Sequence, residues 1–133
     1  MGTKLTTILV VDDDRTIRTL VRAFLEDAGY TVLVAADGVE GVSVFKQHQS
    51  DIALLITDVM MPNMNGFDLA DCVLQIDSQL PVIFISGNIQ GADRGHRCIA
   101  KPFTPAALVS RVQKALHTPP HQLQSHGRTA YSS

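Results

Sequence analysis

"LLITDVMMPNMNG", residues 54–66, begins as an apolar run and ends on turn-forming residues, with Asp58 at the junction. The run "IALLIT" (52–57) has no polar alternation, the pattern of a strand covered on both faces. Met, Pro, Asn and Gly then break it. A carboxylate where a buried strand meets a loop is costly unless something compensates it. The partners of Asp58 must come from elsewhere in the chain.

Outward from this stretch, further short apolar runs recur: "TILVV" (7–11), "TVLVAA" (31–36), "PVIFIS" (81–86) and "CIA" (98–100). Helical patterns lie between them. In "RTIRTLVRAFLEDAG" the residues Ile17, Leu20, Val21, Phe24 and Leu25 form one stripe, closed by Gly29. "DGVEGVSVFKQHQ" offers Val39, Val42 and Phe45, though two glycines weaken the signal. "GFDLADCVLQI" carries Phe67, Ala70, Val73 and Leu74. "TPAALVSRVQKAL" places Thr104 as N-cap and Pro105 at the first helical position, followed by Leu108, Val109, Val112 and Leu116. Alternating strands and helices with short links predict an α/β fold: a parallel sheet flanked by helices, with right-handed crossovers. After Leu116 the chain becomes polar and aperiodic, so 118–133 is expected to be a disordered tail or linker stub.

Composition excludes several function classes. A chain of 133 residues, 45% hydrophobic, fits one domain with a real core. Eleven Lys and Arg against thirteen Asp and Glu leave no basic face for direct binding of nucleic acid or anionic lipid. Cys72 and Cys98 form neither a C-x-x-C pair nor a zinc spacing, and read as thiols of a reducing compartment. No run reaches membrane-span length, and the N-terminus lacks a signal-peptide core. Met1-Gly2 with Thr6 fits a myristoylation pattern formally, but the pattern is too short to carry weight. The expectation is a soluble cytoplasmic domain without membrane attachment.

In such a sheet, ligands sit beyond the C-terminal ends of the strands. The first strand here ends in Asp12-Asp13-Asp14, the third in Asp58, the fourth in Ser86-Gly87 and the fifth in Lys101-Pro102. Singly, each is an ordinary turn or cap, and Asp14 reads as a helix N-cap. Jointly they bring acids, a hydroxyl and a lysine to one edge. Asp12, Asp13 and Asp58 would repel one another unless a cation sat among them. Oxygen ligands without His or thiolate suit a hard ion, Mg²⁺ or Mn²⁺.

These residues resemble the receiver domain of two-component response regulators, of the chemotaxis-regulator (CheY-like) type, over roughly residues 7 to 117. The resemblance rests on the Asp12-Asp13 pair, Asp58 in "DVMMPNMNG", Ser86, and Lys101 in "KPF". It implies a flavodoxin-like doubly wound sheet of five strands in the order 2-1-3-4-5. By resemblance, residues 1–117 are the receiver and Asp58 is the phosphoacceptor. Asp12, Asp13, Asp58 and the backbone carbonyl of Met60 hold Mg²⁺. Ser86 is the switch hydroxyl, Lys101 pairs with the phosphoryl group, and Pro62 and Gly66 shape the loop. The implied partners are a histidine kinase or histidine phosphotransfer protein upstream, and a downstream protein or fused output domain. Met60 and Asn88 occupy positions that help set phosphoryl lifetime in that family; Met60 cannot orient a water, whereas Asn88 could.

Two rival readings differ in class. A haloacid-dehalogenase-type phosphatase would need a second Asp two residues after Asp58, where Met60 stands. An inert receiver-like binding module would not need the acids, hydroxyl and lysine together. The reading is therefore a self-phosphorylating, slowly dephosphorylating signalling domain and not a turnover enzyme. One departure from the family stands out. Only "GNIQGADRGHRCIA" separates Ser86 from Lys101, and Cys98 holds the position of a usual aromatic. The fourth helix is expected to be shortened or absent, with 87–97 a mobile segment that orders around the phosphorylated site, and Cys98 a buried structural thiol.

Overall fold

The computed structural model describes residues 5–87 and 98–117. In chain order these form β1 (Thr7–Val11), α1 (Arg15–Asp27), β2 (Thr31–Ala35), α2 (Gly38–Gln47), β3 (Ile52–Asp58), α3 (Gly66–Ile76), β4 (Val82–Ser86), β5 (Cys98–Ala100) and α4 (Pro105–His117). All strand pairs are parallel, and the sheet order is β2-β1-β3-β4-β5. This is the doubly wound order that the resemblance implies.

Side chains alternate across a strand, and the sheet uses both faces. On β1, Ile8 and Val10 point to one side and pack with Val21 and Leu25 of α1 and Leu108 and Val112 of α4. Leu9 and Val11 point to the other and pack with Phe45 of α2 and Leu69 and Val73 of α3. Each such fully buried Leu or Ile stabilises the fold by roughly 1.5–3 kcal/mol. Cys98 is buried on the α2–α3 side, as anticipated for a structural thiol.

The helices start and stop on local signals. Asp14, Asp37 and Asn65 accept from backbone N–H groups at the starts of α1, α2 and α3, and Thr104 Oγ1 accepts from Ala107 N–H in α4. Glu40 also accepts from Ala36 N–H at 2.7 Å, which secures α2 despite its glycines. Helix α1 ends in a Schellman motif, with Tyr30 N–H donating to Leu25 O and Gly29 N–H to Glu26 O, both 3.0 Å. The φ of Gly29, +99°, suits glycine.

Two residues placed on apolar stripes by periodicity lie at the surface. Leu20 and Val39 are exposed. Leu20 borders a groove on α1 with Ile17, Phe24 and Phe103. Val39 lies in the first turn of α2, where the buried positions are Gly38 and Gly41. Some strand ends also shift by a residue: β2 stops at Ala35, β3 includes Asp58, and β4 begins at Val82. Apart from Gly87, the expected short segment 87–97 with its missing helix, Asn88 and the tail 118–133 lie outside the described residues.

Candidate functional site

Strand β1 delivers the first acids. Asp12 is 1% exposed. Its N–H donates to Ala35 O at 3.2 Å, and its Oδ1 accepts from Asp14 N–H at 2.8 Å. From the second turn of α1, Arg18 Nη1 reaches back to the Asp12 carbonyl at 2.8 Å. Among the described residues, Oδ2 of Asp12 accepts no hydrogen bond although it is buried. Asp13 is exposed at the rim. Asp14 uses its side chain on Thr16 N–H at 2.8 Å, so it caps α1 and stands outside the acid cluster.

Strand β3 delivers Asp58, which is also buried. Its carbonyl accepts from Thr57 Oγ1 at 3.0 Å, and the next N–H, that of Val59, donates to Ile85 O at 3.0 Å. The loop that follows turns sharply. Met64 N–H donates to Pro62 O at 2.8 Å across Asn63, whose φ is +71°, the pattern of a γ-turn. Gly66 then returns to the acceptor, with its N–H on Val59 O at 2.9 Å. A Cβ on Gly66 would run into the Asp58 carbonyl oxygen, so only glycine fits there. Met60 donates a backbone hydrogen bond to the Asp58 carboxylate, while its side chain stands in solvent.

The cation comes from β5. Lys101 Nζ lies 3.5 Å from Asp12 Oδ2 and 3.5 Å from Asp58 Oδ2. That separation is an ion pair rather than a firm hydrogen bond, which agrees with the orphaned state of Oδ2. Lys101 N–H donates to Ser86 O at 2.9 Å, tying the end of β5 to the end of β4, where Ser86 is buried. At the start of β5, both terminal nitrogens of Arg111 donate to Cys98 O at 2.9 Å.

Burial raises the carboxyl of Asp12 above its ordinary 3.8, opposed by the Asp14 N–H and Lys101 and reinforced by Asp58. Burial likewise raises Asp58, opposed by Lys101 and the Met60 N–H and reinforced by Asp13. The lysine therefore only partly offsets what burial and mutual repulsion cost. Asp12, Asp13 and Asp58 each offer an oxygen, all within 4.8 Å of one another. An all-oxygen donor set with one buried carboxylate oxygen that accepts no hydrogen bond fits a hard divalent cation.

The structure thus gathers Asp12, Asp13, Asp58 and Lys101, and puts Ser86 on the adjoining strand end. Sequence reading did not find Arg18, Thr57 or Arg111. Each acts on a backbone carbonyl, and residue type alone does not reveal that kind of contact.

A doubly wound parallel sheet with its polar cluster at the carboxyl edge belongs to the class that binds ligands at a topological switch point. Residues 8–113 match the response regulator receiver domain, and the chain belongs to that family. Response regulator GtcR of Aneurinibacillus migulanus is 34% identical over 117 residues, covering 83% of this chain and 47% of GtcR. The chain spans about half the length of the curated relatives it matches. The crystallised chemotaxis protein CheY4 of Vibrio cholerae superposes with a TM-score of 0.76 at 30% identity, over 85% of this chain and 100% of CheY4. The CheX–CheY–BeF₃–Mg²⁺ complex of Borrelia burgdorferi aligns with a TM-score of 0.72 at 28% identity, covering 84% of this chain and 90% of that one. Among the described residues, no helix is long and apolar enough to cross a membrane.

Proposed function

We propose that residues 1–117 act as the phosphoacceptor unit of a two-component phosphorelay, with Asp58 taking a phosphoryl group from a histidine kinase or histidine phosphotransfer protein. One observation carries this reading: a buried pair of carboxylates, Asp12 and Asp58, share one lysine at 3.5 Å, and among the described residues the buried Asp12 Oδ2 accepts no hydrogen bond. A merely structural cluster would satisfy that oxygen.

Asp12, Asp13, Asp58 and the Met60 carbonyl would hold Mg²⁺ or Mn²⁺. Bound there, the ion would offset the repulsion among the acids and the negative charge on the incoming phosphoryl group. The Mg²⁺ in the Borrelia complex supports that choice. An ionised Asp58 oxygen attacks phosphorus in line as the P–N bond of the donor phosphohistidine breaks, and its electron pair returns to the imidazole nitrogen. Burial makes the Asp58 carboxylate more basic than one in water, which favours it as nucleophile. Lys101 pairs with the phosphoryl oxygens, and the Ser86 hydroxyl donates to one of them. The product biases a two-state surface read by a downstream protein or a fused output domain. Slow loss of the group by reaction with water resets it. A location in the cytoplasm suits such a relay.

The test is mass spectrometry after incubation with Mg²⁺ and a small acyl phosphate. A gain of one phosphate, labile to hydroxylamine and absent from Asp58→Asn, is expected. An unchanged mass would overturn the proposal in favour of an inert module, and steady release of phosphate over many turnovers would indicate a phosphatase.

A further inference from the structure

Three anchors hold Asp12 and leave Oδ2 to face the cluster. Its N–H donates to Ala35 O at 3.2 Å, its Oδ1 accepts from Asp14 N–H at 2.8 Å, and its carbonyl accepts from Arg18 Nη1 at 2.8 Å. The first two anchors are backbone groups, which any sequence would supply. The third is a half-buried guanidinium on the second turn of α1, a helix whose Val21 and Leu25 are fully buried against the sheet. Burial, the Asp14 N–H, Asp58 and Lys101 shift the Asp12 carboxyl, whereas Arg18 grips the backbone behind it.

We propose that Arg18 is a positioning residue that makes the acid cluster prefer Mg²⁺ over the larger Ca²⁺. This rests on the reading of Asp12, Asp13 and Asp58 as Mg²⁺ ligands. The Asp12 carbonyl and the Asp13 N–H belong to one planar peptide. A guanidinium that fixes the carbonyl therefore fixes the plane from which Asp13 sets out. Asp13 stands exposed at the rim, without burial to hold it. Arg18 thus ties the spacing of the Asp12 and Asp13 carboxylates to α1.

That spacing separates the two ions. Mg²⁺ demands near-ideal octahedral ligands at roughly 2.0–2.1 Å, while Ca²⁺ takes more oxygens at roughly 2.3–2.6 Å in flexible geometry. Ligands free to drift accommodate Ca²⁺ and serve Mg²⁺ poorly. Charge and anchoring by Arg18 act with opposite signs. Its charge repels any cation, so loss of charge alone would strengthen Mg²⁺ and Ca²⁺ binding equally. Loss of the anchor weakens Mg²⁺ and spares Ca²⁺. A hydrogen-bonded partner behind a metal ligand is worth about ten- to a hundredfold in affinity, which outweighs repulsion from one charge that salt and water screen.

The test is calorimetric titration of the full, unphosphorylated chain with Mg²⁺ and, separately, with Ca²⁺. Arg18→Met keeps the stem and removes the donors. It should bind Mg²⁺ about tenfold more weakly, with Ca²⁺ affinity changed less than about threefold. Arg22→Met removes the same charge one turn further along α1, where Arg22 pairs with Glu26 at 3.0 Å. It should leave the ratio of Mg²⁺ to Ca²⁺ affinity as it is. Arg18→Lys keeps the charge and a donor on a shorter stem, should show a smaller fall in that ratio, and carries the test if Arg18→Met does not fold. A ratio at or above the wild-type value in every Arg18 variant that folds would overturn the inference while leaving the Mg²⁺ reading intact. So would a fall in Arg22→Met as large as that in the Arg18 variants. No Mg²⁺ binding by the wild-type chain would overturn both.

Discussion

Asp12 and Asp58 leave β1 and β3, which lie inside the sheet and pair with neighbours on both sides, whereas Lys101 leaves β5, a three-residue strand at the sheet edge. The acids are thus delivered by the best-supported backbone in the molecule. The lysine depends on three register pairs with β4 and on the fork of Arg111 at Cys98 O. The difference teaches where the free energy sits. Central strands can hold two carboxylates together against burial and repulsion, because the close-packed apolar clusters on both faces resist their separation. The balancing cation does not need equal rigidity, since a charge on a flexible stem finds its partners over a range of positions.

The comparison breaks most completely at Asp58. Asp58→Asn should abolish phosphate uptake, read by mass. In metal-free protein at neutral pH it should also raise the melting temperature by about 3–6 °C, the equivalent of ~1 kcal/mol for a domain this size. The sign follows from the raised carboxyl. The folded state binds the Asp58 proton more tightly than the unfolded chain, whose value is near 3.8, so this residue's contribution declines as pH rises from there through the raised folded value. The advantage of the Asn variant should therefore fade as pH falls toward 4. An advantage that grows on acidification would show that the carboxylate is stabilised rather than strained.

Next in size, Asp13→Ala should weaken Mg²⁺ binding about tenfold or more by calorimetry, through loss of one oxygen ligand from the set. The lysine side should respond less. Arg111→Met keeps the stem and removes the fork, so it should cost ~1–2 kcal/mol in denaturant unfolding and slow phosphorylation roughly threefold, with little change in Mg²⁺ affinity. An Mg²⁺ loss matching that of Asp13→Ala would erase the distinction between the two halves of the site. Smallest of all, Asp14→Ala should cost ~1 kcal/mol of helix capping and leave Mg²⁺ affinity alone.

Much of this was legible in the residues. Five apolar runs announced five strands because a sheet covered on both faces tolerates no polar alternation, and the acids and lysine at their ends announced the site. The helix of Gly38–Gln47 was faint because propensity disfavours glycine, yet Asp37 accepts from the Glu40 N–H and Glu40 reaches back to the Ala36 N–H just ahead of the helix. Leu20 and Val39 obeyed the helical period but lie beyond the arc that the sheet covers, since periodicity fixes a direction and not the width of the buried face. Arg18 and Arg111 were invisible for another reason: both grip carbonyl oxygens, which every residue possesses. The contrast between exposed Met60 and buried Met61, adjacent and chemically identical, arises only once the chain turns.

That turn has a mechanical consequence. Gly66 opens α3 and rests directly on the carbonyl of Asp58, with no side chain between them to yield. The helix and the acceptor backbone are therefore geared together. A displacement of a few tenths of an ångström at the Asp58 peptide cannot be absorbed by a rotamer change and must be passed to the first turn of α3, which acts as a lever arm running from the reactive edge of the sheet toward its far side.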